Sequence, residues 1–158
     1  MNELIFERKI QQLHNRYVRI IDDDQLEQWP ELFLVDAEYQ VTTRENHTRD
    51  LPLALMSCKG RGMMLDRITG LRKINVYEPH RYNHQISGLE ISVQPAGSYH
   101  CVSNFLVVRI MHTGASMVFA SGVYLDVVVL DTDGEYRFAQ RKVITDSRQT
   151  DTLLVIPL

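Results

Sequence analysis

Apolar positions in the first twenty residues recur at helical spacing. Phe6, Ile10, Leu13, Tyr17 and Ile20 step by four, three, four and three, which lines one face of an amphipathic helix. Asp22, Asp23 and Asp24 end it. Acidic groups sit badly at a helix C-terminus, so at least one of them is expected to open the next helix. Asp24 with Glu27 three residues on reads as a capping-box-like start. That second helix must be short, because Pro30 has no N–H to donate. Trp29, Leu32 and Phe33 then supply an apolar anchor. From Ala37 the period becomes two: Tyr39, Val41 and Thr43 alternate with Gln40, Thr42 and Arg44, a half-buried strand. Polar residues 44–50 read as a loop and residues 51–56 as a weak strand. Met64, Ile68, Leu71 and Ile74 share the face of a third helix, with Gly70 in its interior costing roughly 1 kcal/mol against Ala.

Beyond Pro79 the chain is strand after strand. Tyr82, His84 and Ile86 alternate in one phase, and Leu89, Ile91 and Val93 in the other. The slip falls at Gly88 and predicts a β-bulge. Residues 94–97 make a turn, residues 98–112 and 115–130 are long strands parted by Thr113-Gly114, and residues 131–134 turn the chain into a last strand at 136–146. The apolar tail, residues 151–158, needs a surface to cover it. Helices followed by long antiparallel strands describe one α+β domain over residues 1–158. A strongly curved sheet wrapped on the helices makes a cone with a pocket between the layers.

A length of 158 residues with 44% hydrophobic and 23% charged positions suits a single well-buried domain. Seventeen Lys and Arg against twenty Asp and Glu give a net charge of −3, with no basic cluster, which argues against nucleic acid. No apolar run is long enough to span a bilayer, and no basic segment followed by an apolar one opens the chain. A cytoplasmic location is expected. Cys58 and Cys101 are isolated and read as free thiols; two cysteines cannot hold a four-cysteine iron–sulfur cluster. A Rieske centre is excluded as well, for want of paired Cys and His motifs.

Six histidines invite a metal reading, but His80 and His84 lie about 12 Å apart along an extended segment, and His100 and His112 at opposite ends of one strand. No metal site is expected. Acid–base chemistry in the cone is the better rival. Asp36, Tyr39, His84, Tyr99, His100, Tyr124 and Asp126 are placed to face one cavity in part, and a buried carboxylate opposed by a tyrosine or histidine suffices for proton abstraction or dehydration. The plain structural account has Asp36 turning the chain before its strand, with His84 and Tyr124 satisfying sheet-face hydrogen bonds. No GxSxG elbow appears, and Gly60-Arg61-Gly62 lacks phosphate-loop spacing. Arg81, Arg109, Arg137 and Arg141 lie in strands, where they are solvated or suit a carboxylate-rich partner.

The order of motifs then resembles a known family. Trp29-Pro30, Phe33, Asp36 and Tyr39 are followed by Asp66-Arg67-Ile68 and by Tyr77-Glu78-Pro79-His80-Arg81-Tyr82-Asn83-His84. Ser103-Asn104-Phe105 with Val108-Arg109, then Gly122-Val123-Tyr124-Leu125-Asp126, then Arg141 and Asp146 complete the series. From Trp29 onward the chain resembles the small (β) subunits of aromatic-ring-hydroxylating, Rieske non-haem iron dioxygenases. Residues 44–46, 61–63, 109–114 and 150–153 make it look closest to those acting on aromatic carboxylates, such as terephthalate dioxygenase and salicylate hydroxylase. One arginine, Arg81, stands where many members have two.

The resemblance implies the cystatin-like cone shared with nuclear transport factor 2 and ketosteroid isomerase. It implies no cofactor in this chain, and a Rieske [2Fe–2S] cluster and mononuclear iron in a large (α) subunit that this chain supports without catalysing. Three small subunits would associate within an α3β3 assembly. Arg81, Tyr82, Arg109, Arg141 and Leu158 are the candidate subunit contacts. The alternative is a stand-alone dehydratase or isomerase using Asp36, His84 or Tyr124, with Asp126 beside them. A plain binding or assembly domain is the third class.

Overall fold

Helix α1 (Glu3–Asp22) turns Ile10, Leu13, Tyr17 and Ile20 inward as their spacing predicts, and carries His14 on the same face. The computed structural model describes residues 3–73, 77–147 and 154–158. The aspartates end α1 differently from the capping-box reading. Asp24 adopts a left-handed φ of 56°, with its N–H donating to Ile21 at 3.2 Å and that of Gln25 to Ile20 at 2.9 Å. This pair of bonds is a Schellman closure, which satisfies the last carbonyls of α1 and uses Asp24 as its left-handed residue. The next element is a 3₁₀ helix, Leu26–Leu32, with Pro30 inside it and no side-chain cap. Asp24 and Glu27 instead hold Arg72, at 3.0 and 2.8 Å.

Strand β1 (Phe33–Thr43) follows. Residues 44–50 are not wholly a loop: Thr43 accepts from the Asn46 N–H at 3.2 Å and starts the short helix α2 (Arg44–Thr48). The weak strand shifts to β2 (Met56–Lys59), because Met56 and Cys58 are the inward residues while 51–55 are exposed. Helix α3 (Arg61–Lys73) buries Met64, Ile68 and Leu71. Ile74, and residues 151–153 of the apolar tail, lie outside the described residues.

The remaining strands are β3 (His80–Val93), β4 (Tyr99–Met111), β5 (Ser116–Leu130) and β6 (Tyr136–Thr145), and the sheet order is β2-β1-β6-β5-β4-β3. Consecutive long strands are joined by short turns, each carrying a glycine in left-handed conformation: Gly97, Gly114 and Gly134. At the last of them the Gly134 N–H donates to Asp131 at 3.0 Å and that of Asp131 to Glu135 at 2.8 Å. The phase slip at Gly88 is a bulge: its φ is 64°, and the β3–β4 register jumps between Ser87 and Glu90. Further register shifts at Val107/Val108 and Val127/Val128 add to the bend. One pair departs from the antiparallel expectation: β1 runs parallel to β6. Hairpin turns dictate antiparallel pairing only between consecutive strands, and these two are separated by nearly the whole fold. The sheet is therefore mixed. Helix α1 lies against β3 and β6, and α3 against β1 and β2, so one face of the sheet and the helices enclose the core.

Candidate functional site

Strands β5 and β6 place Asp126 opposite Arg141. Pairing skips Ala139 between Val128–Phe138 and Val127–Gln140, so the inward phase moves from Tyr136 and Phe138 to Arg141 and Val143. The guanidinium of Arg141 thereby enters the core, where the residue is 1% exposed. Its Nε and Nη2 each donate to one oxygen of Asp126 at 2.8 Å, and Nη2 also meets Nδ1 of His14 at 3.0 Å. The rings of Tyr17, Tyr124 and Phe138 each stand 4.1 Å from its carbon, a cage of π-faces around the cation.

The charges follow from this packing. Burial opposes the charged form of Arg141, but the Asp126 carboxylate outweighs it and the net shift is upward. Burial pushes the Asp126 carboxyl above the usual range, against the pull of Arg141. Burial, then the charge of Arg141, lower His14 well below 6.5, so its imidazole is neutral. Because a guanidinium only donates, Nδ1 of His14 is assigned the lone pair and Nε2 the hydrogen. That Nε2 is 3.7 Å from Asp126, beyond hydrogen-bond reach, and the His14 residue lines a cavity of about 100 Å³ with Ser103, Gln11 and Gly88.

Two further polar contacts complete the interior. The hydroxyls of Tyr17 and Tyr39 donate to the backbone oxygen of Leu158, the latter at 2.9 Å, and the Leu158 N–H donates to Tyr39 at 3.0 Å. At the end of α1, Asp22 accepts from the backbone N–H of His84 at 2.8 Å and meets its Nδ1 at 2.6 Å. His84 is thus a clamp between α1 and β3. Chemically, Arg141 and Asp126 form a buried ion pair whose members are committed to each other. A general base needs a free oxygen within reach of substrate, and both oxygens of Asp126 carry an arginine N–H.

The SnoaL-like domain family matches residues 2–142. The chain is 39% identical to the anthranilate 1,2-dioxygenase small subunit of Burkholderia cepacia, over 95% of this chain and 92% of that one. It is also 39% identical to the terephthalate 1,2-dioxygenase terminal oxygenase component subunit beta 1 of a Comamonas species, over 98% of this chain and all of that one. The chain belongs to the aromatic-ring dioxygenase small subunits. A chain solved from Novosphingobium aromaticivorans and assigned to the beta subunits of aromatic-ring-hydroxylating dioxygenases superposes with a TM-score of 0.89, at 33% identity and 98% coverage of both.

This small subunit separates the residues that the sequence grouped. Asp36 is exposed on the outside of β1, where the register breaks between Phe33 and Glu38 and Ala37 turns inward instead. His100 is exposed on the outer sheet face, and Tyr99 packs against Phe6 and Tyr136 with ring centroids 5.0 and 5.6 Å apart. Tyr39, Tyr124 and Asp126 are fully enclosed in the interior, and His84, also buried, is held on Asp22 at the end of α1. Of the candidate contacts, Arg81 is exposed and Arg109 is half-buried over the Phe119 ring, while Tyr82 is buried and stacks on that ring at 5.3 Å. Arg141 and Leu158 lie inside the chain, Arg141 turned inward by the Ala139 bulge and Leu158 held by the tyrosine hydroxyls. Sequence reasoning passed over His14 and Tyr17 as site residues. Their signal was a histidine in phase with the apolar face of α1. The phase change from Phe138 to Val143 equally marks Arg141 as inward. Both cysteines are free and buried, and burial pushes Cys101 up to about 12. Among the described residues no three His, Cys, Asp or Glu side chains converge as a metal set, and no helix is long and apolar enough to cross a membrane.

Proposed function

We propose that the chain is the supporting subunit of a multicomponent dioxygenase acting on an aromatic carboxylate, beside a large subunit that carries the Rieske cluster and the mononuclear iron. One observation carries the non-catalytic part: Asp126, the buried carboxylate of the cone, is bound through both oxygens to Arg141. The substrate class follows from the relatives, whose named substrates, anthranilate and terephthalate, are both aromatic carboxylates. The alternative, a stand-alone dehydratase or isomerase using Asp36, His84 or Tyr124, has less support: Asp36 is exposed, and His84 is held by Asp22 at the end of α1. Self-association as a trimer within an α3β3 assembly belongs to the same proposal, with the exposed Arg81 as the first contact to test.

The test is co-expression with the large chain, followed by measurement of mass, iron content and turnover per iron. A hexamer with turnover against an aromatic acid is expected. Asp126→Asn and His84→Gln lower the yield of complex while turnover per iron stays within a few-fold. Losing a true general acid or base costs about 10²–10⁴-fold. A hundredfold loss in intact, iron-loaded complex would overturn the supporting role. A monodisperse monomer in light scattering would overturn the trimer.

A further inference from the structure

Residues 154–158 are buried from Leu154 to Leu158 although they form no strand of the sheet. Their described polar anchor is made by side chains from two other elements. Tyr17 of α1 and Tyr39 of β1 both donate to the Leu158 oxygen, filling its two lone pairs, and Tyr39 accepts from the Leu158 N–H. The Leu158 residue itself is fully buried, and Trp29 and Phe33 pack edge-on to the Tyr39 ring at centroid distances of 5.0 and 6.0 Å. This constellation reads a backbone by its carbonyl and N–H and a side chain by its apolar shape. Those are the elements of a ligand site, assembled here around a segment of the same chain.

We infer that the cone contains a binding site for a short apolar peptide segment, filled in cis by residues 154–158. The ligand class is a leucine-sized apolar group carrying an acyl oxygen and an adjacent N–H. The inference goes beyond the supporting role and holds or fails independently of it. Burial raises both phenols, Tyr39 well above 10, so they remain donors across the working pH range.

The experiment removes residues 154–158 and adds the peptide Leu-Val-Ile-Pro-Leu, labelled with a fluorophore at its amino end. Saturable one-to-one binding is expected, with a melting temperature that rises with peptide concentration because the ligand binds only the folded state. Replacing the final leucine of the peptide by aspartate abolishes binding. Tyr39→Phe in the shortened chain weakens it roughly thirtyfold, the size expected for losing two hydrogen bonds worth about 1 kcal/mol each. A folded shortened chain that shows no saturable binding at millimolar peptide would overturn the inference, as would binding indifferent to Tyr39→Phe. If the shortened chain does not fold, hydrogen exchange on the full chain decides. The Leu158 amide should exchange at least about tenfold faster in Tyr39→Phe while β4 amides stay unchanged, and equal Leu158 rates reject the site.

Discussion

His14 is the residue whose chemistry most depends on its neighbours. The folded chain keeps it neutral through burial and the charge of Arg141, with Asp126 as the one carboxylate beside it, whereas the unfolded chain protonates it near 6.5. A histidine with a lowered folded pKa stabilises the fold above its unfolded value and loses that contribution as the pH falls below it. Urea unfolding from about pH 7.5 down to about pH 5 should therefore show stability falling with a slope approaching about 1.4 kcal/mol per pH unit from this group. His14→Gln keeps an acceptor for Arg141 and should flatten that part of the profile; an unchanged profile would show that His14 is not the group. Asp126 acts oppositely, since a raised carboxyl stabilises at low pH and loses its contribution as the pH rises above 3.8. At this scale Tyr39, Tyr124 and Asp126 were legible as inward residues, because alternation alone sets the phase of β1 and β5. Asp36 and Arg141 were misplaced for a common reason: each lies beside a register break, and one unpaired residue reverses every later side chain.

Among the elements, two glycines predict opposite outcomes for the same substitution. A Cβ on Gly122 of β5 would stand 1.8 Å from the Ile144 carbonyl oxygen of β6, and backbone cannot yield as a side-chain tip does. Gly122→Ala should destabilise by at least about 1–3 kcal/mol, and it tests how closely β5 and β6 approach. Gly70 of α3 has nothing within 4 Å of its Cβ position. Gly70→Ala should stabilise by up to about 1 kcal/mol through helix propensity alone. Chemical denaturation of the two variants beside the parent checks both signs. The elements were legible wherever periodicity ran long: α1, α3 and the four long strands follow their apolar patterns, and glycine announced the bulge at residue 88. The end of α1 was not legible, because an aspartate in left-handed conformation leaves no mark in a hydrophobic pattern. The short α2 was hidden for a similar reason, its signal being a single threonine cap.

Across the whole molecule, composition and order excluded more than they assigned. The strand run after Pro79 required an α+β layer structure that the fold delivers. The cone's filling was not legible. Nothing in residues 151–158 beyond their apolarity distinguishes an internal occupant from an intersubunit strap, and the deciding contacts come from Tyr17 and Tyr39, more than a hundred residues away. The partner assembly rests on kinship with the dioxygenase small subunits, and its measurement is the co-expression described above.

The parallel pairing of β1 with β6 also bears on how the chain reaches this structure. Phe33 pairs with Phe138, so one whole side of β1 waits for a partner about a hundred residues later in synthesis. Closing so long a loop is entropically slow, and sheets built on distant pairings fold slowly for their size. Until β6 emerges, β1 has only the four-residue β2 beside it, leaving an apolar strand with an open edge on the ribosome. The seam that completes the sheet is thus also the interval in which a nascent chain is most exposed to misassociation, and the emergence of β6 is what ends it.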